Sequence, residues 1–131
     1  MLAIPEAFRE ILDKKTFVHL ATCMKDGAPQ VSPVWAEQEG NLIVVNSAKG
    51  RIKDRNMRAD ARVALSATDP DNPYRALMIR GRVVKITEEG ADAHIDRLAK
   101  KYLDKDKYPF RTPEEIRVKY YIEPIKFASM G

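Results

Sequence analysis

An antiparallel β-barrel with peripheral helices, an α+β arrangement, is the fold predicted for this 131-residue chain. Three observations carry the prediction. Six segments rich in β-branched and aromatic residues, bounded by turn formers, read as short strands. The first three follow one another across tight turns at Asp26-Gly27 and Gly40-Asn41, which join antiparallel neighbours rather than the parallel strands of a βαβ unit. The order helix, three strands, helix, two strands, helix, strand leaves the helices at the periphery. With no linker, repeat or low-complexity tract, residues 1–131 read as a single domain.

The elements follow in order. Residues 5–15 read as an amphipathic helix: Pro5 suits a first turn, and Phe8, Ile11 and Leu12 share one face. Residues 16–24 (TFVHLATCM) and 28–37 (APQVSPVWAE) read as two strands joined through Asp26-Gly27. Pro33 cannot donate to a ladder, so its strand is expected at an edge, a bulge or a rim. Residues 42–46 (LIVVN) form a short buried strand. Ser47 is a good N-cap, and 47–59 read as a helix on which Arg51, Arg55, Arg58 and Arg62 recur as one stripe. Residues 61–67 and 77–86 are strands, with Gly81 marking a bulge or a close backbone approach. Residues 88–103 form a helix with Ala91, Ile95, Leu98 and Tyr102 on its apolar face and His94 turned to solvent. After a polar loop, 116–124 (IRVKYYIEP) alternates as the last strand. His19 is expected to pack in its strand, and Trp35 to pack in the core or at a subunit interface.

The charge is concentrated. Residues 49–62 carry six basic and two acidic side chains and so hold the whole net charge of +4; the remainder balances at 17 of each sign. Arg51 and Lys53 stand in a first helical turn, against the positive end of the dipole. A bound phosphate or carboxylate accounts for cations placed there; a solvated basic face is the alternative.

Several function classes lose their support. Only two histidines and one cysteine are present, none at ligand spacing, so no metal site is expected. The chain has no Gly-x-Ser-x-Gly elbow, Gly-x-Gly-x-x-Gly turn or Gly-Lys-Ser/Thr loop. No apolar run reaches the ~20 residues of a membrane helix, the opening MLAIPEAFREILDKK does not read as a secretory signal, and a lone Cys23 fits a reducing cytoplasm. Nucleic acid is not expected as a partner, because 49–62 contains no aromatic residue on which bases could stack.

Five collinear segments, GAPQVSPVW, NLIVVNSAKGRIKDRN, ARVALSATDPDNPYRALMIRGRV, HIDRLAKKY and IRVKYYIEP, together resemble the pyridoxamine 5'-phosphate oxidase-like FMN-binding split-barrel flavoproteins. Within these the chain is most similar to the branch dependent on the deazaflavin F420. The resemblance implies a homodimer of six-stranded split barrels with two cofactor sites across the interface. It places Arg51 and Lys53 on the cofactor phosphate, with Asn46 and Ser47 as hydrogen-bonding groups just upstream. It places Gln30, Ser32 and Pro33 against the tricyclic ring, and brings Met78 and Arg80 from the partner subunit with Tyr74 nearby.

The activity so implied is hydride transfer between F420 and a small conjugated acceptor, the redox chemistry belonging to the cofactor. No residue is assigned as a catalytic acid or base. The alternatives are an FMN-binding reductase or oxidase of the same fold and a non-catalytic cofactor carrier. Pyridoxamine phosphate oxidases proper carry a longer C-terminal segment with arginines and a histidine. Ending at KFASMG, this sequence is not expected to oxidise pyridoxamine phosphate.

Overall fold

The structure is a computed structural model that describes residues 2–131. Seven strands form one wholly antiparallel sheet: β1 Val18–Cys23, β2 Pro29–Val34, β3 Ala36–Glu39, β4 Leu42–Ala48, β5 Arg62–Thr68, β6 Ala76–Thr87 and β7 Arg117–Met130. Their order across the sheet is β2-β1-β5-β6-β7-β4-β3. β2 and β3 are therefore the two opposite edges, yet Trp35 alone separates them in sequence. Two residue steps reach at most about 7 Å, so the sheet must curl until its edges almost meet. The result is a split barrel. The expected strand over 28–37 is in fact two strands broken at Trp35, which makes the strand count seven rather than six.

Alternation fills the barrel. Val18, Leu20, Ile43, Val45, Leu65, Leu77, Ile79, Tyr120 and Ile122 are buried inside, with Ile11, Leu12 and Met57 closing the core from the helical segments. Pro33 lies on an edge strand, the place in a sheet where proline is tolerated. Gly81 sits at a register shift between β6 and β7. A Cβ there would stand 2.7 Å from Ile122 Cγ2 and 3.0 Å from the Glu123 carbonyl oxygen, so only glycine lets the two long strands close.

The first helical segment is a 3-10 helix, Glu6–Asp13, rather than an α-helix. The basic helix α1 spans Ile52–Ala59 and starts later than its sequence indicated. Ser47 is not its cap: it belongs to β4, paired with Val118. Arg51 takes the N-cap position in extended backbone, without a side-chain capping bond. Asp54 serves that end instead, its carboxylate accepting the Gly50 N–H at 2.9 Å. Arg62 lies on β5 and not on the helix, so the stripe of four arginines is not one surface. The helix α2, Ala91–Leu103, buries Ala91, Ile95, Leu98 and Tyr102 as expected, and it buries His94 completely, contrary to the solvent-facing expectation.

Candidate functional site

Where the end of β4, the start of α1, the β2–β3 junction and the loop 104–116 meet, a depression of about 190 Å³ opens. It gathers Pro33, Asn46, Arg51 and Lys53 with Trp35, Tyr108, Phe110 and Arg117. β4 enters the site with Asn46, and the chain leaves it through Gly50 to present Arg51 and Lys53 from one turn. β7, paired with β4 from Ile43↔Ile122 to Ala48↔Arg117, brings Arg117 alongside.

The site is cationic. The Glu115 carboxylate Oε1 accepts from Arg51 Nη2 at 2.8 Å and also from Arg117 Nη1. Among the described residues, no carboxylate lies within 4.0 Å of the Lys53 ammonium. Burial, and then the charges of Arg51 and Arg117, pull the Lys53 pKa below its ordinary value. Two of the three cations thus share one carboxylate, and the third has none within reach among the described residues. The floor of the helix end is held by Asp54, which accepts from Tyr120 Oη at 2.5 Å and from Arg58 Nε at 2.9 Å. Burial would raise the Asp54 pKa, but the bonds from Gly50, Tyr120 and Arg58 outweigh it and hold the carboxyl low.

A buried relay fixes Arg117. Arg117 can only donate, and its Nε gives a 2.9 Å bond to Asn46 Oδ1. The Asn46 amide nitrogen then faces the Ala91 carbonyl and His94 Nδ1, each at 3.0 Å. His94 therefore accepts at Nδ1 and carries its proton at Nε2, 3.3 Å from Glu37 Oε1. His94, followed by Arg97 at 2.9 Å, holds the Glu37 carboxyl down to about 2. The Tyr108 ring covers the Arg117 guanidinium at 5.1 Å.

Aromatic side chains wall the depression. Trp35 stacks on Tyr102 at 5.2 Å, with ring planes 8° apart, and meets Tyr108 edge-on at 6.0 Å. Trp35 packs as expected but also lines the site, which its isolated position in sequence did not indicate.

The remaining site residues lie elsewhere. Met78 and Arg80 line a larger depression of about 450 Å³ on the outer sheet face, together with His19, Ala21 and Val31. His19 is exposed there and not packed. Gln30 and Ser32 pair with Thr22 and Leu20 on the inner face of β2, opposite in side to Pro33. Gln30 Oε1 comes within 3.4 Å of Thr22 Oγ1. The buried Ser32 and Ser47 hydroxyls have no hydrogen-bond partner among the described residues. Tyr74 is 81% exposed in a loop. One chain thus assembles four of the nine anticipated cofactor residues. Sequence reasoning missed Arg117, Glu115, Tyr108 and Phe110, which arrive from a loop and a strand some sixty residues downstream of Arg51.

The curled sheet with its cationic pocket at the edge junction defines a split-barrel protein. The chain belongs to the pyridoxamine 5'-phosphate oxidase family, whose sequence model matches residues 4–122. A solved structure described as an F420 reductase is similar over 95% of this chain and 98% of its own, with 34% identity and a TM-score of 0.85. A conserved hypothetical protein from Mycobacterium tuberculosis is 22% identical, with a TM-score of 0.74, over 98% of this chain and 86% of its own. A FAD-binding protein from Mesorhizobium loti is 20% identical, with a TM-score of 0.68, over 96% of this chain and 94% of its own. No curated protein matches the chain in sequence. Among the described residues no helix is long and apolar enough to cross a membrane, and no cluster of His, Cys, Asp or Glu could hold a metal ion.

Proposed function

We propose that the protein is an oxidoreductase that binds the deazaflavin F420 through its phosphate and transfers a hydride between it and a small conjugated acceptor. The observation that carries this reading is the convergence of Arg51, Lys53 and Arg117 on one depression, with a single carboxylate among them. Clustered cations beside a helix start, one of them without a carboxylate partner, fit a phosphate. The 34% identity to a protein described as an F420 reductase favours a deazaflavin over other phosphorylated ligands.

Arg51 and Lys53 would hold the phosphate from the turn before α1, and Arg117 from β7. Trp35, Tyr108 and Phe110 would flank the ligand as apolar walls that exclude water. When bound, the cofactor supplies the hydride, a reaction no side chain here can perform. The residues fit that group in part: a depression of about 190 Å³ is below the ~300–1,000 Å³ of ordinary ligand sites. The rest of the site comes from a second copy of the chain, packed through the outer face that carries Val31, Met78 and Arg80. Val31 is 62% exposed there, and the neighbouring Ala21, Ala64 and Ala128 leave the depression apolar. Arg80 and Tyr74 of that copy would then face the acceptor. FMN is the second reading, because the same cations fit its phosphate equally well. Fluorescence titration with the two cofactors, and sedimentation for the dimer, test these statements; absence of binding by either cofactor refutes the reading.

A further inference from the structure

We propose that Glu115 is a resident competitor for the anion site, its carboxylate standing where a ligand oxyanion stands and giving way when a phosphate binds. This rests on Arg51, Lys53 and Arg117 being the phosphate site. One oxygen, Oε1, receives both guanidinium groups, the placement of a phosphate oxygen between two arginines. The carboxylate is only 11% exposed and lies near the end of the loop 104–116, two residues before β7.

Glu115 could instead be needed to hold the arginines in place, and the surroundings of Arg117 argue against it. Arg117 is 4% exposed, bonded through Nε to Asn46 and covered by Tyr108. Asn46 is in turn held by Ala91 and His94. Arg117 keeps its orientation without Glu115. Lys53, which has no carboxylate partner among the described residues, does not depend on Glu115 either. The charge of Glu115 therefore opposes an incoming dianion while two of the three cations, Arg117 and Lys53, keep their places without it.

The test is a fluorescence titration of Glu115→Gln with FMN and with riboflavin, which lacks the phosphate. The FMN Kd should tighten about tenfold, the effect of removing one unit charge beside a dianion in a partly solvated site. Riboflavin should be unaffected. Glu115→Ala, which removes the carboxylate without offering an amide, should tighten FMN binding likewise. Glu114→Gln removes the same charge from an exposed neighbour and should leave both Kd values within about twofold. Unchanged or weaker FMN binding by the Glu115 variants overturns the inference, as does equal tightening by Glu114→Gln. Lys53→Ala separates the two claims. If it weakens FMN binding while the Glu115 variants do not strengthen it, the phosphate site stands and the competitor falls. If it leaves FMN binding unaltered, the phosphate site itself falls.

Discussion

Replacing Lys53 by alanine probes the proposed phosphate contact at the group whose charge is least compensated. Its ammonium is half-buried, has no carboxylate within reach among the described residues, and sits beside Arg51 and Arg117. A charge-assisted hydrogen bond to phosphate contributes about 1.5–3 kcal/mol, so the cofactor Kd should rise about 10- to 100-fold. Stability should move the other way. The folded state lowers the Lys53 pKa through burial and like charge. The unfolded chain therefore binds the proton more tightly, and stability rises as pH climbs through the lowered value toward the ordinary lysine value. Below that window the charged lysine is a penalty, so Lys53→Ala should melt no lower than wild type near neutral pH. Raised salt should narrow the affinity gap, since the lost interaction is electrostatic. Arg55→Ala, on the same helix but exposed and away from the depression, should leave the Kd within about twofold. The assay is fluorescence titration with F420 and FMN beside thermal denaturation. Equal losses for Lys53→Ala and Arg55→Ala would mean diffuse charge and refute the pocket.

Asp54→Asn should destabilise by about 2–4 kcal/mol in denaturant unfolding, because a buried carboxylate bonded to Gly50, Tyr120 and Arg58 becomes an amide that cannot accept from all three. Since the folded state holds the Asp54 pKa low, its contribution is fully present above the unfolded carboxyl range and is lost as pH falls through the folded value. Gly81→Ala should cost about 1–3 kcal/mol from the forced contact with Ile122 and the Glu123 carbonyl; a wild-type melting curve would contradict the close-approach explanation. Val31→Asp should yield monomers in sedimentation and weaken cofactor binding, since it puts a charge on the outer face proposed for the second copy. A Val31→Asp dimer would place the interface elsewhere.

The barrel was legible in sequence because strand alternation and Asp-Gly turns are local signals. Residues 16–24, 42–46, 61–67 and 77–86 all fall on observed strands. Trp35 hides the break between β2 and β3, because the pattern on either side continues like one strand; only the meeting of the two sheet edges makes it a corner. Ser47 has a cap's chemistry, but its backbone is claimed by the ladder to Val118, and long-range pairing overrides the local signal. His94 looks solvated on a helical wheel until Asn46, 48 residues away, accepts it as a partner. Arg51 and Lys53 were legible because an uncompensated charge run is visible in one dimension. Arg117 and Glu115 were not, because nothing in IRVKYYIEP marks that β7 lies along β4 beside that run. The one available hint was an arginine opening an otherwise alternating strand.

Titration of the purified protein with F420, FMN and riboflavin, followed by fluorescence at low and high salt, tests the phosphate site most directly. The expected result is F420 bound most tightly, FMN bound more tightly than riboflavin, and both phosphate-bearing ligands weakened by salt while riboflavin is not. Riboflavin binding as tightly as FMN, with no salt dependence for either, would contradict a phosphate held by Arg51, Lys53 and Arg117.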